Sequence, residues 1–581
     1  MTDRTVLIKL VKNVPSACAP VSLVVCCASA SPHPPIDLGS GNTVGTGMNY
    51  ASAAVTLKDG TLLSFHRRGN ADATTIFVSR STDQGANWSG PEALLKLPVD
   101  RWGGPIPLLD KDEELHFVIP KARGEGRRPN VDRFIDLYHL RSTNKRTAWS
   151  EPQRIYEGYC GSIQGVFQLG NGRILAPFAH WRPNVPTTPP TGPNVCTVVY
   201  SDDGGRSWKR SPAALTAPCL NGYNGSNYGA CEPSLLELND GRVWMLIRTQ
   251  TGVLYESYSP DGVEWYDAEP TRFPSSNSPA FQVRLPDDRI VLFWNNCAMP
   301  PRLDGAGVYG GRDALHAAVS SDEGRTWRGF REVYRDPTRN GSPPRSGDRG
   351  TAYPHATVTS DGRILLVSGQ GVERRRRFLV DPDWLEEQRQ SEDFETLDAW
   401  HVFKSFGPAQ RWWRDRKQGA RLIAHPDDPT RNVLQVRRPD RLPGDGAVWN
   451  FPNGVGGTLT FRLRIGRQFG GAQISVTDRF LNPCDDAGET EAPVSLRIAP
   501  SGRIASSHKL VPGRWHNLEL VWNDIGLCRA FLDGNAIKQF GAARRNKNGY
   551  CYLRLRSISS RVDEEGLLVE SIEVRVKNRE H

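Results

Sequence analysis

Methionine is scarce, four in 581 residues, and long runs of Ala, Leu, Glu and Lys are few, which argues against a helical protein. After residue 30 no stretch approaches the 18 or more uninterrupted apolar residues that cross a bilayer, so no integral membrane segment is expected. Neither CxxC nor a Cys/His spacing suited to zinc occurs. HExxH, a Walker loop and GxGxxG after a strand are also missing, so metalloprotease, nucleotide and dinucleotide chemistry have no support, and no metal or cofactor is expected.

What is abundant is 56 Gly, 43 Pro and 16 Trp among many short apolar stretches, the texture of an all-β chain rich in turns. The length calls for two or more cores. A net charge of +9 would steer anionic partners, but it is spread along the chain, and no nucleic acid is expected. The one dense basic run, Arg374 to Arg377, reads as a solvated face or loop, with a phosphate-binding patch as the alternative. Arg4, Lys9 and Lys12 precede an apolar, small-residue stretch from Val14 to Ala30 that ends Ala28-Ser29-Ala30. Residues 1–30 therefore have the form of a secretory signal, and a secreted or periplasmic protein is expected. Eight of the 11 cysteines lie beyond it, an even number that permits disulfides.

The pattern Ser-x-Asp-x-Gly-x-x-Trp occurs at Ser81/Asp83/Gly85/Trp88, Ser201/Asp203/Gly205/Trp208 and Ser320/Asp322/Gly324/Trp327. A version one residue shorter stands at Ser259/Asp261/Gly262/Trp265 and a degenerate one at Ser142/Asn144/Arg146/Trp149. The Asp or Asn positions step by 61, 59, 58 and 61 residues. Each box lies between β-like runs and so occupies a hairpin turn: Asp accepts bonds from backbone N–H groups, Gly supplies a positive φ, and Trp packs back under the hairpin. About 60 residues per repeat suits a four-stranded antiparallel blade, and such repeats close radially.

The boxes resemble the Asp-box (BNR) repeats of the sialidase, or neuraminidase, superfamily. The resemblance covers about residues 40–385 and implies a six-bladed β-propeller. It also implies a catalytic set. A nucleophilic Tyr matches Tyr353, eight residues before Asp361-Gly362-Arg363, and its partner Glu matches Glu232 in Glu232-Pro233-Ser234-Leu235, followed by Asp240-Gly241-Arg242. Arg248 and Arg312 match two arginines that hold the substrate carboxylate, and Asp72 matches the general acid. A phenol suits a sialoside because the anomeric carbon already bears a carboxylate, which would repel a carboxylate nucleophile.

Two positions depart from the family. Tyr50 stands where a first clamp arginine is found, and Gly369 stands where a Glu steadies that arginine. Either Arg67 or Arg68 substitutes, or the sugar is a different one, read by Tyr50, His66, His180, His355 or Gln250; for His355 a packing histidine is the first reading and a sugar contact the second. From about 394 to 578, Leu459, Phe461, Leu463 and Ile465 alternate with polar residues as in a half-buried strand. Trp515 to Leu520 and Ala530 to Gly534 resemble the strands of laminin-G or concanavalin-like jelly rolls. The acidic residues Asp485, Asp486, Glu489 and Glu491 read as an exposed turn, with calcium as the alternative. The expectation is thus a retaining exo-glycosidase acting on a glycan or glycoconjugate, sialic acid first. A different terminal sugar is the first alternative and a non-catalytic glycan-binding propeller the second.

Overall fold

The computed structural model describes residues 32–40, 53–70, 73–126, 130–144, 146–181, 194–219, 229–297, 311–341, 350–370, 374–410, 413–506, 508–541 and 548–578. The leader expected over residues 1–30 lies outside them. Nearly everything described is antiparallel β, and no described helix is long and apolar enough to cross a membrane.

Six small sheets follow one another along the chain. Sheet I runs Ala54–Thr56, Leu62–Asn70, Ala73–Ser81 and Glu92–Leu97, and sheet II runs Ile106–Leu109, Leu115–Arg123, Phe134–Thr143 and Gln153–Tyr156. Sheets III, IV and V start at Cys160–Ile163, Cys231–Glu237 and Phe281–Arg284. Sheet VI has His355–Val358, Ile364–Ser368 and Arg376–Val380, and its fourth strand is Ile36–Ser40, from the other end of the described chain. Sheet VI thus takes in a strand that starts ahead of residue 40, where the resemblance begins. The first strands touch from I to II and from III through IV and V to VI; Cys160–Ile163 of sheet III meets Phe134–Thr143 of sheet II, and Ala54–Thr56 of sheet I meets His355–Val358 of sheet VI. There Thr56 Oγ1 donates to the Val358 carbonyl at 2.7 Å.

Neighbouring sheets share cores, which is why the middle strands read as unbroken apolar runs rather than alternating ones. Phe65 of sheet I packs with Phe117 of sheet II, Leu137 of II with Phe178 of III, and Leu175 of III with Met245 of IV. Val243–Arg248 and Ile364–Ser368 are buried at every residue, whereas the last strand of sheet I, Glu92–Leu97, is largely exposed.

The boxes do what their residue types imply. In the second, Asp203 Oδ1 accepts from Ser201 Oγ at 2.8 Å and from the backbone N–H groups of Arg206 and Ser207 at 2.9 and 2.8 Å. Gly205 has φ +80°, and its N–H donates to Ser201 Oγ at 2.8 Å. The degenerate box is repaired from the neighbouring strand: the Glu114 carboxylate accepts from Ser142 Oγ and from the Arg146 N–H, the place the missing Asp would fill.

Two larger sheets follow. One has eight strands, with Asp563–Lys577 between Asp428–Arg438 and Gly456–Ile465; the other has six, with Gly446–Gly454 between Trp400–Gln410 and Tyr550–Ser557. Their facing side chains, among them Trp400, Trp449, Phe461, Leu520 and Val574, form one hydrophobic cluster. This part is joined tightly to sheet V. Val448, Cys551 and Tyr552 pack with Trp294, Ala318 and Phe330. Burial alone would raise the Glu332 carboxyl, but His401 and Arg335 hold it well below the usual carboxylate range, and Tyr552 Oη donates to it at 2.5 Å. Arg416 makes a two-pronged buried bond to Asp313 and lies over the Phe403 ring.

Three expectations change. None of the eight described cysteines forms a disulfide. Arg374, Arg375 and Arg377 are buried at the entry to a strand of sheet VI rather than solvated. The acidic turn is occupied by arginines: Asp486 and Glu489 pair with Arg556, and Glu491 pairs with Arg479.

Replacing Asp203 by Ala removes the acceptor for four donors and should lower unfolding free energy by about 1–3 kcal/mol in urea titration. Arg416→Met should cost more, about 3–5 kcal/mol, because it strands a buried carboxylate. The double replacement with Asp313→Asn should recover part of that loss in the same titration.

Candidate active site

Glu232 and Tyr353 lie at the openings of the first strands of sheets IV and VI, and each precedes a proline. A β-bulge interrupts the pairing between Cys231 and Ser234 and turns the Glu232 side chain out of register. Both residues have left-handed backbone, φ +43° at Glu232 and +68° at Tyr353. For residues other than glycine such a conformation costs about 1–3 kcal/mol each, and it persists only where the surroundings over-determine it, as at ligand and reaction sites. The surroundings here are explicit. The Glu232 N–H donates to Ser162 Oγ at 3.0 Å, and Gln164 Nε2 donates to the Pro354 carbonyl at 3.1 Å, so sheet III supports both.

The two side chains meet. Tyr353 Oη donates to Glu232 Oε1 at 3.2 Å, while Arg248 Nη1 donates to Glu232 Oε2 at 2.5 Å and to Tyr353 Oη at 3.2 Å. Glu232 and Arg248 are almost wholly buried. The Arg248 guanidinium offsets the cost of burying that carboxylate. Arg312 completes the group, its guanidinium carbon 5.7 Å from the centre of the Tyr353 ring. A proton leaving Tyr353 would pass to Glu232, and the phenolate left behind would face two guanidinium groups.

Asn277 ties the arginines together. Its Oδ1 accepts from Arg248 Nε at 2.6 Å and its backbone carbonyl accepts from Arg312 Nη2 at 2.5 Å. Gln370 Oε1 accepts from Arg312 Nη1 at 2.8 Å. The Thr351 N–H bonds the Arg312 carbonyl at 2.9 Å, and a Cβ at Gly350, φ +100°, would lie 2.3 Å from that oxygen; only glycine lets the Tyr353 segment approach Arg312 so closely. Sequence reading missed Asn277, Gln370 and Ser162. The available signal was the polar run Ser275-Ser276-Asn277-Ser278 between two apolar strands.

The other expected residues divide. Tyr50 and Asp72 lie outside the described residues, as does the Arg68 side chain. Arg67 does not join the group: its Nη1 donates to the Trp102 carbonyl between sheets I and II. His355 does not join it either. Its ring lies 5.3 Å from that of Phe281, and it lines a cavity of about 340 Å³ bounded by the first strands of several sheets. Burial, then the Arg375 charge, pushes its imidazole down to about 3. His180 bonds Arg210 in sheet III, and His66 lies against Phe77 in sheet I. Gln250 is fully buried two residues past Arg248, and neither of its amide atoms meets a hydrogen-bond partner among the described residues.

Residues 60–366 match the BNR repeat-like domain family. The chain belongs to that family. No curated protein is significantly similar to it. Among solved structures it is similar to the Trypanosoma rangeli sialidase, with 12% identity, 92% of each chain covered and a TM-score of 0.38. A Dyadobacter fermentans protein of unknown function gives 18% identity over 59% of this chain and 97% of its own, with a TM-score of 0.42. The Hadza microbial sialidase Hz136 gives 16%, 57%, 65% and 0.41 in the same order. The BNR repeats account for the boxes and for sheets I to VI, while the site rests on the geometry above.

His355 supplies a pH test. Its folded pKa is depressed, so the stability it permits is present above the unfolded value of 6.5 and is lost as pH falls toward 3. Thermal melts of His355→Gln should show a shallower fall in Tm between pH 6.5 and 3 than the unsubstituted protein.

Proposed function

We propose that the protein is a retaining exo-glycosidase acting on a terminal acidic sugar, sialic acid first, in glycans or glycoconjugates. The observation that carries the reading is the Tyr353–Glu232 hydrogen bond, made between two residues in left-handed backbone and shared with Arg248. In this reading Glu232 takes the phenolic proton as Tyr353 Oη attacks the anomeric carbon, forming a glycosyl–tyrosine bond as the glycosidic C–O bond breaks. Asp72 protonates the departing oxygen and later takes a proton from the water that releases the sugar. Sheets I to VI are then a six-bladed propeller closed by Ile36–Ser40, and the two larger sheets a jelly-roll sandwich fixed against blade V. A secreted or periplasmic setting fits a glycoconjugate substrate and the form of residues 1–30.

A second reading keeps this chemistry and changes the sugar. It is favoured by Gly369, where φ +106° and a Cβ position 1.9 Å from the Arg374 carbonyl oxygen leave no room for the family's glutamate.

Release of 4-methylumbelliferone from the α-sialoside, measured beside a panel of other acidic and neutral glycosides, distinguishes the two. Tyr353→Phe and Glu232→Gln should each lower kcat on the accepted substrate by about 10²–10⁴-fold. Unchanged turnover in both variants would remove the assignment. No turnover of any glycoside, with glycan binding retained, would favour a binding module.

A further inference from the structure

Within its run, Arg375 is the member whose charge no acid or aromatic ring among the described residues answers. Arg374 Nε donates to both oxygens of Asp336, at 3.1 and 3.3 Å, and Arg376 Nε donates to Asp37 at 2.7 Å. Arg377 has its guanidinium over the indole of Trp88, 4.3 Å from the ring centre. Arg375 is only 7% exposed; its Nη1 donates to the Gly369 carbonyl at 3.1 Å, and its Nε and Nη2 meet no acceptor among the described residues. No acidic side chain among the described residues pairs with it. A buried cation in that state is costly, and a ligand anion relieves the cost. Burial also pushes the guanidinium down to about 10, in the same sense.

Its position ties it to the candidate site. Gly369, which Arg375 holds by its carbonyl, donates its N–H to the Ala352 carbonyl at 3.0 Å, next to Tyr353. Gln370, the following residue, holds Arg312. Arg375 is no more buried than its neighbours there, since Arg248 and Arg312 are 1% and 5% exposed. Those two already bond protein acceptors: Arg248 serves Glu232, Tyr353 and Asn277, and Arg312 serves Gln370 and Asn277. Position 369 itself cannot carry an acid for Arg375, because a Cβ there would lie 1.9 Å from the Arg374 carbonyl oxygen.

We propose that Arg375 receives an oxyanion group of the bound sugar and is the residue that makes the site select acidic over neutral terminal sugars. This rests on the glycosidase reading for the reaction, but not for binding. The oxyanion is a carboxylate or a sulfate ester, and the test separates them.

The full chain and its Arg375→Gln and Arg375→Lys variants are assayed on 4-methylumbelliferyl α-sialoside, β-glucuronide, a 6-sulfated N-acetylglucosaminide and β-galactoside. Loss of a charged hydrogen bond should raise KM for the accepted anionic substrate about 10- to 100-fold in Arg375→Gln. It should leave any neutral turnover unchanged and be partly restored in Arg375→Lys. Equal effects on anionic and neutral substrates, or none, would overturn the proposal. Should no glycoside be cleaved, calorimetric titration with N-acetylneuraminate, glucuronate, 6-sulfated N-acetylglucosamine and inorganic sulfate decides it separately. Binding of a sugar anion that is lost in Arg375→Gln supports the proposal; binding of none, or binding that survives the substitution, overturns it. Without ligand, Arg375→Gln should melt at or above the unsubstituted protein, whereas a purely structural arginine would melt lower.

Discussion

Glu232 and Arg248 meet at 2.5 Å in a place almost closed to water, and that pair sets the terms for what surrounds it. Two charges taken out of water recover their desolvation cost only if geometry is good and the remaining donors and acceptors find partners. Here the second Glu232 oxygen accepts from Tyr353, the second Arg248 contact is the same phenol, and Arg248 Nε is held by Asn277. Remove Glu232 or Arg248 and its buried partner loses the opposite charge that offsets its burial. The group is thus held rigid by hydrogen bonds that its members make to one another.

That rigidity is borrowed from four sheets. Sheet IV carries Glu232 and Arg248, sheet VI follows Tyr353, sheet III props both through Ser162 and Gln164, and the entry to sheet V brings Arg312. The Asp boxes lie in hairpin turns and touch none of this chemistry. Their part is to fix each sheet well enough that strand openings from distant parts of the chain meet within hydrogen-bond distance. The C-terminal sheets enter the same frame: Asp313, the residue after Arg312, is gripped by Arg416 from the six-stranded sheet. The appended part thereby bears on the segment that places a site arginine, and its attachment is a buried network of Glu332, His401, Tyr552 and Arg335 rather than a loose linker.

Much of this was legible because it is local. A box writes its own turn, since Ser, Asp, Gly and Trp bond within a few residues of one another, and an even period near 60 residues announces the repeat. Glu232, Tyr353, Arg248 and Arg312 could be picked out through the resemblance to the sialidase superfamily, whose motifs place such residues near an Asp-Gly-Arg turn or an Asp box. Asn277 and Gln370 could not, because nothing in their neighbours says that an arginine from another strand will arrive there. Arg67 and His355 had the right residue type in the right stretch, but strand pairing sends one to the Trp102 carbonyl and the other against Phe281. The degenerate box failed on the page and succeeds in space, because Glu114 crosses from the next strand.

By itself, then, the sequence determined the β texture, the repeat and its hairpin turns, all of which depend on contacts within one hairpin; it offered Glu232 and Tyr353 only through their resemblance to a sialidase-superfamily motif. Tertiary structure alone decided which charges are answered. Arg374, Arg375, Arg376 and Arg377 are identical as letters, yet Asp336, Asp37 and Trp88 reach three of them, while among the described residues the fourth meets only the Gly369 carbonyl. A charge in a low-dielectric interior takes its meaning from partners brought near by folding, and those partners lie up to 339 residues away along the chain.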